Sequence, residues 1–172
     1  MSSRCSLLLV LASLPAALVA QSYAPRSPAP APIVALNPNV VDPADVARAF
    51  ARADSAEETG RTADARRIYK KLIADLESDG QFAGAALWRL ALTYFYADDK
   101  WQAAQLFDRT ASAANQYGDP ALELRATFEG AALWQQLKRP DLAATRLERV
   151  TSLLQSPAIS EAEKEAVRKR MA

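Results

Sequence analysis

The sequence predicts an all-α fold for residues 43–172, and three observations favour it. Alanine accounts for 37 of the 172 residues, and together with leucine, arginine and glutamate it gives this stretch a high helix propensity. No segment alternates polar and apolar residues as a half-buried strand does. Glycine and proline separate the helical stretches from one another, where their backbone preferences end or begin a helix.

These boundaries predict seven helices, near residues 43–58, 62–78, 81–97, 99–116, 120–137, 140–155 and 160–171. Asp42-Pro43 and Asp119-Pro120 each place an N-capping carboxylate before a proline at the first helical position. Ser160 and Glu163 have the spacing of a capping box for the last helix. Three glycines stand where helices should stop: Gly60, Gly80 and Gly118.

Residues 1–20 predict a cleaved secretory signal peptide, with an uncleaved N-terminal anchor as the alternative. Arg4 supplies a positive charge, and the apolar stretch from Ser6 to Ala20 is too short to span a bilayer comfortably. Small residues place the cleavage after Ala20 or after Ser22. We therefore expect an exported protein, periplasmic or extracellular, with no membrane insertion once the signal is removed. Removal would also take away Cys5, the chain's one cysteine.

Residues 21–42 predict a disordered, proline-rich spacer. Five of the ten prolines lie here, and the stretch from Ser27 to Pro32 favours extended polyproline II. A tether that holds the domain away from a membrane or neighbour is the first interpretation. A ligand for a polyproline-binding domain is the alternative.

The predicted helices repeat in pairs. An alanine followed four residues later by a large apolar residue recurs in residues 65–69, 103–107 and 143–147, at spacings of 38 and 40 residues. Another alanine precedes each of these by twelve residues: Ala53, Ala91 and Ala131. Small residues at these positions predict that two antiparallel helices approach closely within each pair.

The middle pair resembles the tetratricopeptide repeat (TPR) family. Leu87, Leu90, Ala91 and Tyr94, followed by Ala103 and Phe107, match the family's pattern of large, small and aromatic positions. The resemblance covers about residues 44–155, although the period exceeds the family's usual length of about 34 residues. It implies a right-handed superhelix of antiparallel helix pairs, a TPR-like α-solenoid of about three hairpins with a C-terminal capping helix. A generic alanine-rich helical bundle is the alternative.

In TPR proteins, the first helix of each pair lines a concave groove that commonly holds a peptide or a partner helix. Carried over by position, the resemblance implies a partner-binding groove made of aromatic, apolar and polar side chains. These candidates are Phe50, Trp88, Leu92, Phe95, Tyr96, Arg125, Phe128 and Gln135. Packing of the aromatic residues in the core is the alternative.

Composition argues against several classes of function. The formal net charge of +1 argues against a nucleic-acid-binding protein. The chain has no histidine, and no motif indicates a metal site, a cofactor or a catalytic residue. The acidic pairs Glu57-Glu58 and Asp98-Asp99 lie at predicted helix ends, where carboxylates commonly cap helices or face solvent.

The sequence therefore predicts an exported, non-catalytic adaptor that binds another envelope protein or peptide through its concave face. Two alternatives stay open. The domain could instead form a homo-oligomer through the same surface, or capture a small molecule there.

Overall fold

A computed structural model describes residues 41–171. These residues form seven α-helices and no β-strand, which confirms the predicted all-α fold. The helices are α1 (Pro43–Glu58), α2 (Thr62–Ser78), α3 (Gly84–Phe95), α4 (Lys100–Tyr117), α5 (Pro120–Gln136), α6 (Pro140–Leu154) and α7 (Glu161–Met171). The predicted signal peptide and residues 21–40 of the predicted spacer lie outside the described residues.

Carboxylate and hydroxyl caps begin the helices where the sequence predicts them. Asp42 accepts a hydrogen bond from the backbone N–H of Ala44 at 2.8 Å, and Asp119 accepts one from Leu122 at 3.0 Å. Ser160 accepts a hydrogen bond from the backbone N–H of Glu163 at 3.3 Å and donates its hydroxyl proton to that side chain. These bonds satisfy N–H groups that have no partner within the helix.

Left-handed residues end five of the helices. Gly60, Gly80 and Gly118 have φ angles of 72°, 68° and 73°, as expected of glycines that follow a helix. The same backbone conformation recurs at Asp98 and Lys138, both with φ of 58°. Positions 60, 98 and 138 thus repeat one turn geometry at the spacing of the alanine repeats, and only the first of them carries a glycine.

Lys138→Gly is expected to raise the free energy of unfolding by about 0.5–1 kcal/mol, because a left-handed backbone strains a residue that has a Cβ atom. Gly118→Ala is the matched reverse change. Nothing lies within 4 Å of the added Cβ, so only backbone strain should lower stability there. Urea unfolding followed by circular dichroism measures both variants. A Lys138→Gly protein less stable than the parent would contradict this account of the turn.

Helix α3 is shorter than the predicted 81–97, and its first three predicted residues are not helical. The N–H of Gln81 donates to the carbonyl of Leu76 at 2.8 Å and so completes the end of α2. The ring of Phe82 then stacks on Tyr117, with the two centroids 5.1 Å apart. A Cβ at Gly84 would meet the Phe82 ring at 2.1 Å, so this glycine is needed for the chain to enter α3 beneath that ring.

Each of the helices α1 to α5 packs against the next one along the chain, and α7 packs on α5. Phe50 and Tyr69 lie on either side of the α1–α2 turn with ring centroids 5.9 Å apart, and Trp88 contacts Phe107 across the α3–α4 turn at 5.0 Å. Contacts between residues at similar distances from a turn show that these helices run antiparallel. The recurring alanines are all buried between them: Ala53, Ala65, Ala91, Ala103, Ala131 and Ala143.

The last helix closes the C-terminal part of the core. Val167 of α7 and the preceding Ile159 pack with Phe128 and Val150 in one cluster. Arg170 forms a salt bridge with Glu129 and lies over the Phe128 ring, 4.7 Å from its centroid. Helix α7 therefore covers apolar surface that α5 and α6 would otherwise leave exposed.

Candidate functional site

Three of the eight candidate residues come together in one surface depression of about 560 Å³. Phe50 comes from α1, Trp88 from α3 and Arg125 from α5, which are the first helices of the three pairs. Six further residues complete its lining: Asp54, Phe82, Ala85, Arg89, Asp119 and Leu122. We call this depression the trough.

The aromatic side chains of the trough are held from behind by the core. Trp88 is half-buried and meets the fully buried Phe107 edge-on at 5.0 Å, while Phe50 contacts the fully buried Tyr69. Phe82 is fixed by its stacking on Tyr117. Because packing restricts their rotamers, a ligand would lose little side-chain entropy by ordering them.

Two opposite charges of the trough neutralise each other. Arg89 forms a salt bridge with Asp54, and its Nε also donates to the Tyr69 hydroxyl at 3.1 Å. The Tyr69 hydroxyl donates to Asp54 at 3.3 Å. Burial, followed by the nearby Glu57 carboxylate, raises the pKa of Tyr69 well above its usual range. The phenol therefore stays neutral at physiological pH and acts as a fixed hydrogen-bonding group.

Arg125 carries the uncommitted charge of the trough. It is exposed, its guanidinium lies 5.6 Å from the centroid of the Trp88 ring, and among residues 41–171 it forms no salt bridge. Asp119, the remaining charged residue of the lining, already accepts the capping hydrogen bond at the start of α5. The trough thus offers an aromatic wall with an accessible cation beside it.

The other five candidates lie elsewhere on the domain. Leu92 is partly buried against the second core cluster, and Gln135 is exposed on α5. Phe95 and Tyr96, at the end of α3, are 38% and 78% exposed and meet edge-on with centroids 5.5 Å apart. Phe128 is only 7% exposed and belongs to the cluster beneath α7, so its ring offers little surface to a partner.

A second depression of about 290 Å³ lies between the turns that join α1 to α2 and α3 to α4. It is lined by Glu57, Thr62, Thr93, Tyr96 and Ala97, and we call it the Glu57 pocket. The Oε1 atom of Glu57 is buried and has no hydrogen-bond partner. Burying a carboxylate oxygen without a donor is unfavourable, which makes this atom the least satisfied polar group of the site.

The sequence did not predict the local environment of two residues that line these depressions, Phe82 and Glu57. Phe82 was placed inside a helix, whereas it belongs to a non-helical segment that directs its ring into the trough. Glu57 was placed at a helix end, which is correct, but that position did not predict that one of its carboxylate oxygens is buried. Local sequence patterns do not predict whether a side-chain oxygen is buried by residues that are distant in the sequence.

The Asp98-Asp99 pair takes the structural role its position predicts. Asp99 accepts a hydrogen bond from the backbone N–H of Gln102 at 3.2 Å, and Asp98 lies 3.4 Å from the ammonium group of Lys100. Within residues 41–171 no group of three or more His, Cys, Asp or Glu side chains is arranged to hold a metal ion. In the same range no helix has the length and apolar content needed to cross a membrane.

Comparison with known proteins gives no match: no family model matches the chain, and neither a curated protein nor a solved structure matches it.

Proposed function

We propose that this chain is an exported, non-catalytic interaction module that binds a peptide segment of another envelope protein in the trough. The observation that carries the proposal is the meeting of Phe50, Trp88 and Arg125, from three separate helices, in one depression. Rigid aromatic side chains beside an arginine are typical of the anchors that contribute most to protein interfaces. Export is proposed from the signal-like residues 1–20.

The chemistry of the trough indicates what the bound segment contains. An apolar side chain would pack on Phe50, Phe82 and Trp88, where it buries aromatic surface. A neighbouring Asp or Glu would pair with Arg125, which has no acidic partner within the described residues and can bind a carboxylate through two N–H groups. The proposed ligand is therefore a segment in which an acidic residue adjoins an apolar one.

A TPR-like arrangement of the helix pairs is part of the same proposal. It is supported by the buried alanines that recur in register and by the left-handed turns at positions 60, 98 and 138. In such a stack the odd-numbered helices share one face, which is consistent with a trough lined by α1, α3 and α5.

Trp88→Ala and Arg125→Ala are each expected to weaken partner binding on the order of 30-fold, the loss typical of an interface anchor. The mature protein would first select ligands from a displayed peptide library, and isothermal calorimetry would then measure the best ones. Selected peptides should pair an apolar residue with an acidic one. Trp101→Ala is the matched control, because Trp101 is an exposed tryptophan on α4 outside the trough.

Two results would contradict this function. One is equal affinity of the parent and the Trp88→Ala protein for the selected peptides, with circular dichroism showing both folded. The other is a dimer at micromolar concentration, detected by light scattering, that Trp88→Ala dissociates. The second result would assign the same surface to self-association instead.

A further inference from the structure

The Glu57 pocket lies on the same stripe of helix surface as the trough. Along α1, Asp54 and Glu57 are three residues apart, and along α3, Trp88 and Tyr96 are eight residues apart. These spacings keep each pair near one face of its helix. With a rise of about 1.5 Å per residue, Trp88 in the trough and Tyr96 in the Glu57 pocket lie about 12 Å apart along the axis of α3. A ligand that fills the trough can therefore extend into the pocket.

The groups around Glu57 leave its buried oxygen without a donor. The Tyr69 hydroxyl lies near the Glu57 carboxylate, and its hydrogen bond to Asp54 is 3.3 Å long. The Arg89 guanidinium is occupied by Asp54 and Tyr69. Arg66 donates to the side chain and carbonyl of Thr93 at 3.1 and 2.6 Å. Glu57 lines the depression, and its buried Oε1 has no hydrogen-bond partner among the described residues.

We propose that the Glu57 pocket takes a cationic side chain of the bound partner, a lysine ammonium or an arginine guanidinium. The inference rests on the proposed function, since it assigns a second anchor to the same ligand. An N–H donor on the cation would bind the Glu57 carboxylate where this residue lines the depression, and the opposite charges would attract across a partly desolvated contact. Tyr96, 78% exposed at the rim, adds an aromatic face on which a cation can rest.

This assignment predicts the spacing of the ligand. A separation of about 12 Å corresponds to four residues of an extended peptide, at about 3.3 Å per residue. The partner segment should therefore carry a basic residue four positions away from its apolar anchor if it binds as a strand. A helical ligand would need about eight residues for the same distance.

The test uses the mature chain and small probes, so it does not depend on finding the partner. Nα-acetyl-lysine N-methylamide and its arginine counterpart are titrated against isotope-labelled protein and followed by NMR. The uncharged norleucine analogue is the control probe. We expect saturable shifts at the Glu57 carboxyl and the Tyr96 ring, with a dissociation constant on the order of millimolar.

Variants separate the pocket from the trough. Glu57→Gln should weaken probe binding at least about tenfold, because it removes the charge but keeps the shape. Glu58→Gln, an exposed neighbour, should leave binding unchanged. Tyr96→Ala should weaken it several-fold and is expected to fold, since this side chain is mostly exposed. Trp88→Ala should not affect the probes.

The inference is overturned if the norleucine analogue binds as well as the charged probes, if Glu57→Gln and Tyr96→Ala leave binding unchanged, or if neither charged probe binds. Failure of the proposed function gives a different pattern. In that case the charged probes bind and respond to Glu57→Gln, while Trp88→Ala has no effect on any selected peptide.

Discussion

Asp108→Ala is expected to lower the free energy of unfolding by about 3 kcal/mol, the lower end of the cost of breaking a buried ion pair. Asp108 belongs to α4, and its carboxylate contacts residues of α5 and α6. It accepts hydrogen bonds from Nε and Nη2 of Arg146, both at 2.6 Å, and from the indole N–H of Trp134 at 2.9 Å. Removing it leaves a guanidinium and an indole donor without their acceptor.

The position of Asp108 explains why the loss should be large. Its side chain and that of Arg146 are 25% and 24% exposed, so water replaces the lost carboxylate poorly. A Cβ added at Gly130 would come within 3.0 Å of the Asp108 carboxylate, which shows how closely α5 approaches it. The cluster therefore joins α4, α5 and α6 through one side chain.

Glu77→Ala is the matched control for this prediction. Glu77 also receives two hydrogen bonds from an arginine on another helix, with Arg109 at 2.6 and 2.7 Å. Its side chain is 44% exposed and that of Arg109 is 51% exposed, so solvent weakens the interaction. We expect a loss within about 1 kcal/mol. Urea unfolding compares the two variants. Equal losses in the free energy of unfolding would show that the burial of Asp108 does not strengthen its interactions.

A double variant tests whether the unpaired charge causes the loss. Asp108→Ala with Arg146→Met should be more stable than Asp108→Ala alone, because methionine does not leave a charge between the helices. Additive losses would instead assign the effect of Asp108 to its bond with Trp134.

Local chemistry predicted most helix ends correctly. The carboxylate caps and the left-handed glycines act within one turn of the chain, so Asp42, Asp119 and Gly118 were sufficient to place their boundaries. The start of α3 was wrong because the Phe82 ring stacks on Tyr117, a residue 35 positions later in the sequence. Lys138 gave no signal of its left-handed turn, since lysine does not favour that backbone conformation.

The candidate site residues likewise include some that were predicted correctly and some that were not. Their positions in the TPR resemblance predicted Phe50 and Trp88 as groove residues, and both line the trough. Phe128 has the same periodicity, but it is covered by α7, whose packing on α5 no short-range pattern encodes. Exposure of an aromatic side chain depends on what packs over it, so spacing alone did not separate Phe128 from Trp88.

Small side chains at the paired alanine positions allow the two helices of each hairpin to approach closely. Ala131 and Ala143 are both buried, and both lie near the turn between α5 and α6. The same relation holds for Ala53 with Ala65 and for Ala91 with Ala103. A larger side chain at any of these positions would have to push two helices apart, because protein interiors leave no spare volume.

Ala143→Leu is therefore expected to lower the free energy of unfolding by about 3 kcal/mol through overpacking. Ala144→Leu, at the exposed neighbouring position on the same helix, should change stability by no more than about 0.5 kcal/mol. Calorimetric and urea unfolding of the two variants compare one substitution at buried and exposed sites one residue apart.

If Ala143→Leu is tolerated as well as Ala144→Leu, the repeated alanines are not needed for close approach of the helices. The repeats would then reflect a general preference for alanine in helices, as a generic bundle would show. A large and selective loss, repeated for Ala65→Leu and Ala103→Leu, would instead make these alanines the contact positions of a stacked repeat, because only a repeated interface demands a small residue at the same place in every pair.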